Sequence, residues 1–148
     1  MIDLRSDTVT LPSPEMKNFM FEAPLGDDVY GEDPSINELE KKASTLFDKE
    51  NALFVPSGTM ANLISVLSHC ERGNKFLLGN KSHIFKYEAG GTSVLGGLQS
   101  HQLPNNTDGT IDIEDIVSSI NSSNDSHYAM TRLLCLENTH NVCYGTAI

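Results

Sequence analysis

A chain of 148 residues, 39% apolar and 20% charged and without a repeat period, is long enough for one domain with its own core, which excludes a disordered or solenoid protein. A formal charge of −10 and a pI near 4.7 argue against a nucleic-acid surface, because the ten Lys and Arg residues that would neutralise phosphates are few and scattered. The opening segment Met1–Asp7 carries two acidic residues and no apolar run, and no stretch reaches the roughly eighteen apolar residues of a membrane span, so a cytoplasmic protein is expected.

Residues 1–33 show no sustained period and are punctuated by Pro12, Pro14, Pro24, Gly26 and Gly31, which predicts an extended N-terminal arm with a short helix near Pro14–Phe21. Residues 34–148 form the domain proper. Asp33 or Ser35 can cap a helix whose first turn tolerates Pro34, with Ile36, Leu39, Ala43, Leu46 and Phe47 along one face. Asn51–Pro56 is an apolar run closed by proline and reads as a buried strand. A turn at Ser57-Gly58-Thr59 then opens a helix to about His69, with Met60, Leu63, Ile64 and Leu67 inward.

Lys75–Gly79 predicts a second strand, His83–Ala89 a short helix ended by Gly90-Gly91, and Leu98–Leu103 a third strand. After a polar turn over 105–109, Ile113, Ile116, Val117 and Ile120 mark a helix capped near Thr110 or Asp112, and Arg132–Leu136 a last strand. Strands alternating with helices predict an α/β fold with a mostly parallel sheet. Only twelve residues follow Leu136, with no helix to cover that strand, so an interrupted domain is expected. Cys70, Cys135 and Cys143 are odd in number and lack CxxC spacing, which predicts reduced thiols in or near the core.

In open α/β sheets ligands collect at the carboxyl ends of strands, and Ser57-Gly58-Thr59, Gly79–His83 and Glu137–Asn141 each follow a predicted strand. Two hydroxyls and a glycine at a helix start suit a phosphate; the same residues also make an ordinary cap and turn. His83 is followed by Tyr87 and Glu88 one helical turn on, so its imidazole can stack on a flat ring or move a proton, or lie at the surface with no ligand. The acidic loop Asp27–Asp33 does not match a calcium-loop spacing, and the five histidines contain no His-x-x-x-His pair, so no metal is expected.

Several ordered segments carry a resemblance. Asp3-Leu4-Arg5-Ser6-Asp7-Thr8-Val9-Thr10, Gly26-Asp27-Asp28-Val29-Tyr30-Gly31-Glu32-Asp33-Pro34, Val55-Pro56-Ser57-Gly58-Thr59-Met60-Ala61-Asn62, Ser82-His83-Ile84 with Tyr87-Glu88-Ala89-Gly90-Gly91, Asp108-Gly109-Thr110 and Leu136-Glu137-Asn138-Thr139-His140-Asn141 together resemble the threonine aldolases. The resemblance implies the amino-terminal part of the large domain of a fold-type-I enzyme that uses pyridoxal 5′-phosphate (PLP) to split threonine or allo-threonine into glycine and acetaldehyde.

It implies further that Ser57, Gly58 and Thr59 hold the cofactor phosphate, that His83 stacks on the ring and takes the proton of the substrate hydroxyl, and that His140 lies near the cofactor. By the same resemblance Ser6 approaches the substrate carboxylate, Tyr87 lines the substrate pocket, and the arm around Tyr30 joins a subunit contact in a dimer or tetramer.

The family pattern continues into an Asp-Gly-Ala-Arg segment and a lysine that anchors the cofactor aldehyde, which this sequence does not show, and Tyr144 stands where glycine is common. The expectation is therefore a chain inactive by itself. The competing readings are a non-catalytic subunit that pairs with a full-length aldolase and a related PLP-dependent β-eliminating lyase.

Overall fold

The computed structural model describes residues 2–3, 6–121 and 124–148, with Asp7 described by its backbone. The chain divides into two compact units, Met1–Phe54 and Val55–Ile148.

In the first unit a 3₁₀ turn at Asp7–Val9 precedes α1 (Pro14–Glu22), a second 3₁₀ turn spans Asp28–Tyr30, and α2 covers Pro34–Leu46. Both helices start as their sequences dictate. Ser13 Oγ accepts the Met16 N–H, and Asp33 Oδ1 accepts those of Ser35 and Ile36 at 2.9 and 3.0 Å, with proline in each first turn. The Ile36 N–H beside it holds the Asp33 carboxyl below its usual range. The periodic residues of α2 do not become a core: Leu39, Leu46 and Phe47 are exposed.

Asn51–Pro56 is not a strand. Among the described residues no strand pairs with it, and the Phe54 N–H donates to Glu40 Oε1 at 2.7 Å, a side-chain bond where a ladder bond was expected.

The second unit holds a three-stranded parallel sheet in the order β2-β1-β3, from β1 (Lys75–Gly79), β2 (Gln99–Leu103) and β3 (Thr131–Cys135). β1 is central and buried at all five positions, as its apolar run Phe76-Leu77-Leu78, flanked on both faces, requires. Alternate side chains feed two clusters. Phe76 and Leu78 pack with Val66, Cys70 and Leu98, and Leu77 packs with Leu103 and Ile111.

The first cluster is covered by α3 (Gly58–His69) and bordered by the short α4 (His83–Lys86); α5 (Gly91–Val94) packs on α3 and β2. The second cluster is covered by Ile116 of α6 (Ile113–Ser118).

The inward phase of α3 differs from expectation. Val66 and Cys70 are buried whereas Met60 and Leu67 are exposed, because the stripe that meets β1 is rotated by about one residue. Gly90-Gly91 does not merely end a helix: Ala89 and Gly90 take left-handed backbone and Gly91 begins α5. Ile120 lies beyond the end of α6. The three cysteines are free, Cys70 and Cys143 buried and Cys135 half-buried.

Lys75 lies at the amino end of β1, 4% exposed, and its Nζ donates to the Ser119 carbonyl at the carboxyl cap of α6. Burial holds its pKa below the ordinary lysine value. A cation at a helix carboxyl end satisfies a carbonyl that has no intrahelical partner.

Candidate active site

Because the strands are parallel, the chain leaving β1 at Gly79 and the chain leaving β3 at Cys135 emerge on the same edge of the sheet. A pocket of about 190 Å³ lies there, lined by Asn62, Ser82, His83, Ile84, Cys135, Leu136, Glu137 and Asn138. Two of the three segments expected to converge, 79–83 and 137–141, thus meet at one edge. The third, Ser57-Gly58-Thr59, follows no strand, but it starts α3, whose second turn brings Asn62 into the pocket lining.

His83 is the first residue of α4 and is held from two sides. Its backbone N–H donates to Glu137 Oε2 at 2.7 Å, and its Nδ1 lies 2.8 Å from Glu88 Oε1. Asn62 Nδ2 donates to the same Glu88 oxygen at 2.7 Å. The Glu88 side chain is 5% exposed and that of His83 44%, so a buried carboxylate holds one side of a ring that stays open to ligand. Tyr87 packs against it with ring centroids 5.4 Å apart, itself largely exposed. Glu137 Oε1 also accepts the Asn141 N–H at 2.9 Å, which closes the turn after β3.

Ser57 caps α3 through Oγ, which accepts the Met60 N–H at 3.2 Å, while residues 57–60 are exposed. The N–H groups of Gly58 and Thr59 have no intrahelical acceptor, and a Cβ placed on Gly58 would meet nothing within 4 Å. Two open N–H groups, the neighbouring Ser57 and Thr59 hydroxyls and open space at the start of a twelve-residue helix make a fitting anion cradle.

His140 has a different setting. It is fully buried, bridges Thr146 through an antiparallel pair, and packs so closely on Gly109 that an added Cβ there would lie 2.9 Å from the His140 Cβ. Neither ring nitrogen has a hydrogen-bond partner among the described residues, and Nδ1 lies 3.7 Å from Oε1 of Glu137, which lines the pocket. Ser6 belongs to the first unit, where its Oγ accepts the Thr8 N–H at 3.2 Å and lies 2.9 Å from the Thr8 hydroxyl. Leu4 and Arg5 of the same motif lie outside the described residues.

Cys135 faces the pocket, but burial, with the neighbouring Cys70, pushes its thiol up to about 11, so it remains protonated and is a poor nucleophile at neutral pH. Among the described residues no group of three or more His, Cys, Asp or Glu side chains could hold a metal ion, and no helix is long and apolar enough to cross a membrane. Sequence reasoning missed the roles of Asn62 and Glu137. Both stand in segments that carried the resemblance, and Glu137 also in one that follows a predicted strand.

The edge of the sheet thus brings together a carboxylate-held, half-open histidine and Asn62 of α3, the helix whose first turn carries open N–H groups. The family model of the beta-eliminating lyases matches residues 3–148. The chain belongs to the beta-eliminating lyase family.

Within that family the chain is 50% identical over 141 residues to a low-specificity L-threonine aldolase of Escherichia coli (strain K12), covering 95% of this chain and 42% of that protein. It is 49% identical over 149 residues to a probable low-specificity L-threonine aldolase 2 of Arabidopsis thaliana, covering 99% of this chain and 42% of that protein. An alanine racemase, TOXG, of Cochliobolus carbonum matches at 33% over 138 residues, covering 93% of this chain and 36% of that protein. The chain thus spans about two-fifths of the length of these curated relatives.

Proposed function

We propose that the chain forms the cofactor-cradling part of a PLP-dependent aldehyde lyase that cleaves L-threonine or L-allo-threonine to glycine and acetaldehyde. The observation that carries this reading is the identity of about half of all residues, across nearly the whole chain, to proteins named as threonine aldolases. The site is consistent with it.

Gly58, Thr59 and Ser57 would hold the cofactor phosphate on the open N–H groups of α3, where the helix dipole favours an anion. When bound, PLP supplies an electron sink for the pair released as the Cα–Cβ bond breaks. His83, half open and fixed by two carboxylates, would lie against the ring and receive the proton of the substrate hydroxyl. Tyr87 would wall the substrate side of His83, Ser6 would meet the substrate carboxylate, and His140 would support the site through Glu137. On this reading the working form is a cytoplasmic homo-oligomer.

The test is a chimera in which residues 1–141 of this chain replace the matching segment of the E. coli aldolase. Acetaldehyde release from L-allo-threonine with added PLP is expected, with the chain alone as reference. A folded chimera that binds PLP and releases no acetaldehyde would overturn the aldolase reading. The match to an alanine racemase favours a second reading, in which this region carries the cofactor cradle and the reaction type is set elsewhere. Conversion of alanine between enantiomers, or β-elimination from a hydroxy amino acid by the chimera, would support it.

A further inference from the structure

Glu88 is the most buried carboxylate at the site, and one oxygen serves two partners. Asn62 Nδ2 of α3 lies 2.7 Å from Glu88 Oε1, and His83 Nδ1 lies 2.8 Å from the same atom. An amide NH₂ can only donate, so this oxygen is an acceptor toward α3, and a carboxylate oxygen has no hydrogen to return to the ring. The hydrogen of the contact with the ring must therefore sit on His83 Nδ1. A neutral imidazole with its hydrogen on Nδ1 carries its lone pair on Nε2, which is the nitrogen left for a ligand.

We propose that Glu88 is a positioning residue that fixes His83 in its Nδ1–H tautomer, and that Asn62 locks this carboxylate to α3, the same helix that starts at Ser57-Gly58-Thr59. The inference rests on the proposed role of His83 as proton acceptor, and gives that role its atom, Nε2. Three hydrogen-bonded groups from two segments, Asn62 of α3 and the His83–Glu88 pair 5 residues apart after β1, join the helix of the anion cradle to the proton-accepting ring. A base oriented by a third group is the general arrangement by which a histidine is made to present one nitrogen.

The experiment is ¹⁵N NMR of the imidazole nitrogens in the 148-residue chain, without cofactor, with His83→Gln assigning the signals. At a pH where the ring is neutral, the native chain is expected to show a protonated-type Nδ1 and an unprotonated-type Nε2. Glu88→Gln, whose amide oxygen can still accept, is expected to retain that pattern, and Glu88→Ala to invert it toward Nε2–H. An Nε2–H tautomer in the native chain, or an unchanged pattern in a folded Glu88→Ala variant, overturns the proposal. If Glu88→Ala does not fold, the native and Glu88→Gln spectra still decide it. Because the readout needs neither PLP nor turnover, an inactive chimera with the Nδ1–H pattern would sink the aldolase reading and leave the tautomer assignment standing.

Discussion

The backbone N–H of His83 donates to Glu137 Oε2 at 2.7 Å across 54 residues of sequence, so the turn after β3 holds the first residue of α4. A half-open histidine on a four-residue helix would otherwise have little to keep its backbone in place.

Glu137→Ala removes the acceptor of two backbone N–H groups, those of His83 and Asn141. Hydrogen bonds to a charged acceptor contribute about 1.5–3 kcal/mol, so a stability loss of about 2 kcal/mol is expected in urea unfolding. Hydrogen exchange at the His83 amide should quicken by more than the average amide. A uniform change across the chain would mean that Glu137 does not act locally.

Ser57→Ala should cost about 0.5–2 kcal/mol, the usual range for losing a helix cap, because Ser57 Oγ accepts the Met60 N–H. On the proposed function it should also weaken PLP binding, read by titration of the cofactor absorbance. Ser57→Asp separates the two effects: it can restore the cap while repelling a phosphate. Equal PLP affinity in all three proteins would dismiss the cradle.

Gly79→Ala should be destabilising by about 1–3 kcal/mol. Its Cβ would fall 2.1 Å from Asn105 Oδ1, and Asn105 cannot swing away cheaply, since it accepts the Lys81 N–H and donates to the Gly109 carbonyl. Thermal unfolding followed by circular dichroism checks this. Paired with Asn105→Ala, the Gly79→Ala penalty should shrink if the clash is its source.

Alkaline pH should weaken the fold through Cys135. Its thiol is pushed from 9.0 up to about 11 by burial and by Cys70, so the folded chain holds a proton that the unfolded chain releases. The contribution is complete below pH 9 and is lost as pH rises toward 11. Urea midpoints at pH 8 and pH 10 should differ more in the native chain than in Cys135→Ala. Two pH units also mean roughly a hundredfold less thiolate near pH 8, so alkylation of Cys135 by iodoacetamide should be slow until the chain unfolds.

The strands were legible where burial on both faces leaves a pure apolar run, as in Phe76-Leu77-Leu78, and where an alternating run lies beside it, as in Gln99–Leu103. Caps were legible at Asp33 and Ser57 because the cap chemistry is local. Asn51–Pro56 was misread because an apolar run looks the same whether or not a partner strand exists, and Val66 was missed because neighbouring apolar positions of α3 allow more than one inward stripe. At the site His83 and its neighbours Tyr87 and Glu88 could be named from spacing. The bonds that fix His83 could not, since Asn62 and Glu137 reach it only through the packing of α3 and β3.

The buried Lys75 has a consequence for any aldehyde that enters this fold. Amines recruited for imine chemistry are desolvated ones, and Lys75 meets that description. It stands at the opposite end of β1 from Gly79, roughly 13 Å of strand away from the pocket edge, and its amine is engaged by the Ser119 carbonyl at the cap of α6. The sheet thus separates its masked amine from its open histidine, and a carbonyl compound caught at the pocket would find Lys75 out of reach and chemically silent.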